Sequence, residues 1–162
     1  PDIGITADVI VGFPGETGGE FEEGFRFIDT MGFSAMHVFP YSRRPGTSAA
    51  LLPGQVGPLE KRARERRMLD LAQRTAHRRR QQMVGRPATV LWEERKPVDG
   101  GPAWTGLTEH YVRVYVRSDD DLDNRLLPVT LTGVAPNGLW CELASHKAES
   151  LAAPPATLSP RR

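Results

Sequence analysis

The first forty residues show a strand, a helix and a second strand in their hydrophobic pattern. The segment GITADVIVGFPGET has apolar residues at alternate positions and ends in the run Val9–Val11, which is typical of a strand covered on both faces in a parallel sheet. Thr17 and Glu20 have the spacing of a capping box, and apolar residues recur at helical intervals up to Gly32. A second apolar run, FSAMHVF, follows. Strand, helix and strand joined by short links predict a right-handed βαβ unit.

A long helix with a strongly basic surface is predicted over residues 58–83. Pro58 suits its first turn. The spacing of apolar residues predicts a narrow buried stripe made of Leu69, Ala72, Ala76 and Met83. Residues 58–84 carry nine Lys or Arg against three Asp or Glu. Many of these cations can simply be solvated, but the excess predicts a positive surface that attracts a polyanion.

Beyond Gly85 the hydrophobic pattern changes from helical to alternating. Four or five short strands, separated by turns such as GGP and PNG, predict a small all-β barrel or sandwich of the OB-like class. In HYVRVYVR the three valines are predicted to face the core. The opposite face then carries Tyr111, Arg113, Tyr115 and Arg117. Alternating aromatic rings and cations favour RNA binding, and the alternative is a half-exposed strand whose tyrosines only cover the barrel.

Composition places the chain among ordinary globular proteins, with 39% hydrophobic and 25% charged residues. No apolar run reaches the eighteen or so residues of a membrane span, so we expect no membrane association, and the use of a single cysteine predicts a reducing cytoplasm. A single cysteine, Cys141, excludes a disulfide framework and a site with several thiolates among these 162 residues. The four histidines lack metal-ligand spacing, and His37 is predicted to be a core residue.

The charge distribution and turn residues predict three segments. Residues 1–83 form the α/β part, residues 84–145 the β-barrel, and residues 146–162, rich in Ala, Pro and Ser, a disordered tail. The start at Pro1, without a methionine and just before a strand, is expected for a piece of a longer chain.

Two turns that each follow a predicted strand are the candidate ligand site. Ligands of α/β folds collect at the carboxyl ends of the strands, where this sequence has Gly12 and Gly15 in one turn and Arg43 and Arg44 in the other. Glycines allow a flat ring to approach the backbone, although a tight turn without a ligand is the alternative. Glu16 has the chemistry of an acid or base, but pairing or capping is the simpler role. No catalytic group is assigned.

The order of four segments resembles one family: ADVIVGFPGET, then GFSAMHVFPYSRRPGTSAA, then the basic helix, then GLTEHYVRVYV. Over roughly residues 3–144 it is similar to the carboxyl-terminal half of the radical S-adenosylmethionine methylthiotransferases, which end in an RNA-binding TRAM domain. HVFPYS is most similar to the branch that acts on N6-threonylcarbamoyladenosine in tRNA. The isopentenyladenosine and ribosomal-protein branches are near alternatives, and a non-catalytic RNA-binding protein with a barrel remnant is the rival from another class.

This resemblance implies a fold, cofactors and partners. The fold is α/β: the carboxyl-terminal portion of a partial (β/α) radical S-adenosylmethionine barrel, followed by a small all-β OB-like TRAM barrel. The implied cofactors are S-adenosylmethionine and two 4Fe-4S clusters in the full-length enzyme. The cluster cysteines are absent from this sequence, so the chain alone is expected to be inactive. The implied partners are tRNA and the amino-terminal remainder of the same enzyme.

The resemblance also implies roles for individual residues. The segments beside the cofactor are matched by Ile10, Gly12, Phe13, Gly15, Val38 and Phe39. Arg43 and Arg44 match the side that faces RNA. The family more often has asparagine where His110 stands in GLTEHY.

Overall fold

The chain forms two sets of elements, an α/β set followed by an all-β set. The computed structural model describes residues 3–98 and 100–144, so the predicted tail, 146–162, lies outside the described residues. The first set of elements is β1 (Thr6–Val11), α1 (Gly18–Met31), β2 (Ala35–Pro40), a short 3-10 helix (Ser48–Leu51) and α2 (Pro58–Met83). The second set is β3 (Pro87–Val98), β4 (Gly101–Thr108), β5 (Arg113–Val116), β6 (Leu126–Ala135) and β7 (Gly138–Leu143).

The predicted βαβ unit is present. β1 and β2 pair in parallel, from Thr6 opposite Ala35 to Val11 opposite Pro40. The capping box at the start of α1 is confirmed, because the Thr17 hydroxyl accepts a 3.2 Å bond from the Glu20 amide and the Glu20 carboxylate accepts a 2.8 Å bond from the Thr17 amide. α1 ends at Gly32, which adopts the left-handed conformation with a φ of 63°.

Only one face of the β1–β2 pair is covered within the described residues. Val11 on that face packs against Phe21 of α1 and against α2. The other face carries Ile10 and Phe39, whose side chains are 57% and 49% exposed. The prediction that both faces of these strands are covered is therefore wrong for the described residues, because helices pack on one side of the sheet only. His37 is also exposed rather than a core residue, and its ring stacks on Phe39 with centroids 6.4 Å apart.

α2 buries Met83 as predicted, but the rest of its buried stripe differs from the predicted one. Leu69 is 41% exposed. The buried residues of the helix are Arg64, Met68, Leu71, Thr75 and Met83. The prediction placed only aliphatic residues inside, whereas the helix is rotated so that an arginine and a threonine share its buried face. Thr75 satisfies its hydroxyl by donating to the Leu71 carbonyl at 3.1 Å.

The second set of elements closes into a five-stranded barrel in the order β3-β4-β5-β7-β6. The neighbours are antiparallel, except that β5 and β7 pair in parallel. The barrel core is centred on Val90, Trp92, Val114 and Leu139, each fully buried. Met83, the last residue of α2, packs into the same core, so the long helix is anchored to the barrel.

Gly106 of β4 is required by a close approach of two strands. It pairs with Trp92 of β3 and Val114 of β5, and a Cβ built at Gly106 would lie 2.4 Å from the carbonyl oxygen of Leu91. Nothing lies within 4 Å of a Cβ built at Gly133 of β6. The two glycines therefore provide a crowded test position and an open control position within one barrel.

We predict that Gly106→Ala destabilises the barrel by about 1–3 kcal/mol, because the added methyl group forces a backbone shift. Gly133→Ala, the control, should be within about 1 kcal/mol of the parent. Urea unfolding followed by tryptophan fluorescence measures both, since all three tryptophans, Trp92, Trp104 and Trp140, lie in the barrel. Equal midpoints for the two variants would contradict the close approach at Gly106.

We predict that the Cys141 thiol is unreactive in the folded chain. Burial, together with the neighbouring Glu142 carboxylate, raises the pKa of Cys141 to about 12, so only about one thiol in ten thousand is ionised at pH 8. Iodoacetamide at pH 8 should leave the native chain unlabelled over the time in which it labels the single cysteine in denaturant. Rapid labelling without denaturant would mean that β7 opens readily.

Candidate functional site

The carboxyl ends of β1 and β2 lie side by side and bring the two predicted turns together. Ile10 pairs with Phe39 in register, and the Tyr41 amide donates a 2.8 Å bond to the Val11 carbonyl just beyond the last pair. The strand-end rim is defined here as residues 12–16 and 41–44. The sequence-based expectation that both turns reach one edge of the sheet is thus met.

Backbone hydrogen bonds within the first turn of the rim and to the loop at Gly54 hold part of its shape. Gly12 and Gly15 have φ angles of 71° and 89°, which favour glycine. The Gly15 amide donates to the Gly54 carbonyl at 2.9 Å, and the Glu16 amide donates to the Phe13 carbonyl at 2.9 Å. Nothing lies within 4 Å of a Cβ built at Gly15, so this side of the turn is open to a ligand.

Gly12 is required by a side chain of α2. A Cβ at Gly12 would lie 2.3 Å from the Cγ atom of Lys61, whose stem crosses the turn. The Lys61 ammonium group reaches the second turn, where it donates to the Tyr41 carbonyl at 3.0 Å. The Phe13 ring then meets the Tyr41 ring edge-on, with centroids 5.2 Å apart. One lysine thus joins both halves of the rim.

Arg64, one turn further along α2, fixes the other end of the first turn. Its guanidinium Nη1 donates to the Glu16 carboxylate at 2.6 Å and to the Glu16 carbonyl at 3.0 Å, while Nε donates to Glu60 at 2.9 Å. The same Glu16 oxygen accepts the Gly12 amide at 2.6 Å. Burial opposes the charge of Arg64, but the bonds to Glu16 and Glu60 raise its pKa. Glu16 is therefore a structural partner, as the simpler alternative predicted.

The residues predicted beside a cofactor divide between two environments. Ile10 and Phe39 present adjacent apolar side chains on the open face of the sheet, and the Phe13 side chain is 44% exposed. Val38 packs on the helix side, so only its backbone is available at the strand end. An open apolar surface beside a glycine turn can hold a flat ring, and the rim offers binding rather than acid–base chemistry.

The two arginines of the second turn differ in their surroundings. Arg43 donates from Nε to the Ala50 carbonyl at 3.0 Å, which ties the turn to the short 3-10 helix. Arg44 has an exposed side chain, and its carbonyl accepts the Thr47 hydroxyl at 2.8 Å. Arg44 is therefore the better placed of the two to contact a partner.

The predicted face of HYVRVYVR is only partly built on one strand. Tyr111 lies in the turn before β5, with a φ of 58° and 86% exposure. The prediction that Tyr111 belongs to the same strand face as Arg113, Tyr115 and Arg117 is therefore wrong. Arg113, on β5, pairs with the Glu93 carboxylate and donates to the Thr105 hydroxyl at 3.3 Å.

Trp140 of β7 completes an aromatic–cationic cluster with two of the predicted residues. The Tyr115 ring lies 5.6 Å from the Trp140 ring, and the Arg117 guanidinium lies over that ring at 4.9 Å. The sequence could have revealed Trp140. In GLWCEL its neighbours Leu139 and Cys141 are apolar and face the core, so alternation along the strand places Trp140 on the outer face. Lys61 and Arg64 have no comparable signal, because a basic helix normally has a solvated surface.

Within residues 3–98 and 100–144, no group of three or more His, Cys, Asp or Glu side chains is arranged to hold a metal ion. None of the helices in the described part of the chain is long and apolar enough to cross a membrane.

Comparison with known proteins identifies relatives, although no protein-family model matches the chain. Two of the relatives, each 39% identical, are the tRNA-2-methylthio-N(6)-dimethylallyladenosine synthases of Nitratidesulfovibrio vulgaris Hildenborough and Hahella chejuensis, with matches that cover 89% and 86% of this chain. The threonylcarbamoyladenosine tRNA methylthiotransferase MtaB of Bacillus subtilis is 36% identical over 81% of this chain.

The chain spans about a third of the length of these relatives, namely 33%, 31% and 29% of each. By contrast, the matches to proteins of both names cover 81–89% of this chain. Similarity of this extent places the chain in the tRNA methylthiotransferase family.

Proposed function

We propose that the chain is the carboxyl-terminal part of a radical S-adenosylmethionine enzyme that adds a methylthio group to an N6-modified adenosine of tRNA in the cytoplasm. The observation that carries this proposal is the 36–39% identity to enzymes named for that activity, over 81–89% of the chain. The missing two thirds would supply the cluster ligands, so this chain alone is inactive.

The domain assignment in this proposal follows the predicted boundaries. Residues 1–83 form the last βαβ portion of a partial (β/α) barrel, and residues 84–145 form a TRAM domain of the OB-like class. The parallel pairing of β1 with β2 supports the first assignment. The closed five-stranded order with one parallel pair, β5 with β7, supports the second, since OB-type barrels are small five-stranded barrels.

The strand-end rim, together with the open face of the sheet beside it, suits the adenosine part of S-adenosylmethionine. Ile10 and Phe39 offer an apolar surface for a ring, Phe13 borders it, and the turn at Gly15 is open to close approach. Val38 contributes through its backbone, and Gly12 through the turn shape that Lys61 enforces. The bound cofactor and the clusters supply radical and sulfur chemistry, while the residues of this chain position and shield the adenosine group.

Within this class we propose N6-threonylcarbamoyladenosine as the target, on the sequence HVFPYS at the rim. A relative that carries this activity in its name is 36% identical. The second candidate is the N6-dimethylallyl (isopentenyl) nucleoside, which is favoured by relatives of that name at up to 39% identity. The two targets differ only in the group on N6, so nucleoside analysis separates them.

We predict that deletion of the gene encoding this chain removes one 2-methylthio-adenosine derivative from cellular tRNA and leaves its unthiolated precursor. Mass spectrometry of digested tRNA from deletion and parent strains measures this loss, and complementation with the intact gene is the control. Loss of the threonylcarbamoyl derivative supports the proposed branch, and loss of the dimethylallyl derivative supports the second candidate.

Unchanged 2-methylthio nucleosides would contradict the proposed function. A methylthio group missing from a ribosomal protein would then indicate the ribosomal-protein branch. If neither RNA nor ribosomal protein changed, a non-catalytic RNA-binding protein would be the surviving alternative.

We predict that the barrel face contacts tRNA through Arg113 and Arg117. Replacing either with alanine should weaken binding of tRNA to the 162-residue chain and make it less steeply dependent on salt, by about 0.7–0.9 in the log–log slope for each lost phosphate contact. Arg125→Ala is the matched control, because Arg125 is an exposed barrel arginine bonded to the Asp121 carbonyl. Binding that responds equally to all three changes would exclude a specific face.

A further inference from the structure

The positive charge of α2 is unevenly neutralised along the helix. In the amino-terminal half, Arg64 is paired with Glu16 and Glu60, and Arg67 forms a two-pronged bridge to Glu22. The carboxyl-terminal half, residues 71–83, has four arginines, one histidine and no acidic residue. The excess charge of the helix therefore lies beside the barrel.

A groove of about 740 Å³ separates this half of α2 from the turn between β6 and β7. Described residues that line it include Gln73, Arg74, His77, Arg78, Arg80 and Asn137. None of its described lining residues is acidic, and among them only Pro136 is apolar. Pockets for small organic ligands have similar volumes but mainly apolar walls, so this basic groove suits a charged, hydrogen-bonding ligand.

The arginines of the basic groove have unused capacity for an anion. Arg80 spans the groove, and its contact with the Pro136 carbonyl is long, at 3.4 Å. Arg78 is 3.7 Å from Asp29, and both side chains are about half exposed. The Asp29 oxygen of this pair is itself enclosed and has no hydrogen-bond partner within the described residues. The separation of 3.7 Å is too long for a hydrogen bond, so the donors of Arg78 are available to an anion.

We infer that the basic groove, whose described lining residues do not include Arg113, Tyr115 or Arg117, binds the phosphate backbone of RNA. Arginine forks match phosphate oxygens. Gln73, Gln81 and Asn137 add amide groups that can bond ribose hydroxyls. This inference rests on the proposed function, since tRNA is the polyanion that such an enzyme must hold.

The test compares two paired substitutions of equal charge on one helix. Arg74→Gln with Arg78→Gln removes two cations from the groove, and Arg62→Gln with Arg66→Gln removes two exposed cations from the other half. Binding of a fluorescent anticodon stem-loop RNA to the 162-residue chain is measured by anisotropy over a series of KCl concentrations. Circular dichroism melting confirms that each variant is folded.

We predict that the double substitution in the groove, Arg74→Gln with Arg78→Gln, lowers the log–log salt slope by about 1.4–1.8 and weakens binding roughly tenfold or more. The double substitution outside the groove should have a clearly smaller effect. Arg74→Lys with Arg78→Lys should keep the slope and lose part of the affinity, because lysine retains the charge but not the fork.

Equal losses for the two glutamine pairs, or none for the groove pair, would overturn the inference while leaving the proposed function standing. No binding by the parent chain would count against the proposed RNA contact itself. A DNA hairpin of the same sequence that bound as tightly, with the same loss in the groove pair, would mean that the groove selects phosphate alone and not ribose hydroxyls.

Discussion

The strand-end rim depends on the buried pair of Arg64 and Glu16. Burying two charges is costly unless their hydrogen bonds are also satisfied, and here one carboxylate oxygen serves both Arg64, at 2.6 Å, and the Gly12 amide, at 2.6 Å. Arg64 is only 5% exposed. The shape of the first turn is therefore tied to the long helix packed beneath it, because the Glu16 oxygen that accepts the Gly12 amide is held in place by Arg64.

This dependence gives α2 a second structural role. The helix has 26 residues, about 39 Å at 1.5 Å per residue. Lys61 and Arg64 bind the rim near one end, and Met83 packs into the barrel core at the other. The proposed RNA surface on the barrel and the proposed cofactor site beside the rim are thus held by one element. An RNA bound along the helix would be placed relative to the rim without help from a flexible linker.

Local sequence signals predicted the elements well and the contacts between them poorly. The capping box of Thr17 and Glu20, the parallel pair of strands and the alternating valines of β5 depend on neighbours in sequence, and they agree with the structure. The rotation of α2 could not be predicted, because burial of Arg64 depends on a carboxylate 48 positions away. In the sequence, Gly12 suggested close approach of a ligand, whereas in the structure the side chain of Lys61 occupies the space beside Gly12. The displacement of Tyr111 depends on a turn with positive φ, which alternation alone does not reveal.

The same comparison separates cations that build the protein from cations that are free to bind. Arg64 and Arg67 have carboxylate partners from the α1 region and also contact the ring of Phe21, so their charge is used in packing. Arg74 and Arg78 face a groove whose described lining has no acidic residue. The arginines of α2 therefore differ according to which carboxylates the fold places opposite. Glu16 and Glu22 form close pairs with Arg64 and Arg67, whereas the barrel-facing half has only the 3.7 Å contact of Arg78 with Asp29 within the described residues and keeps a positive excess.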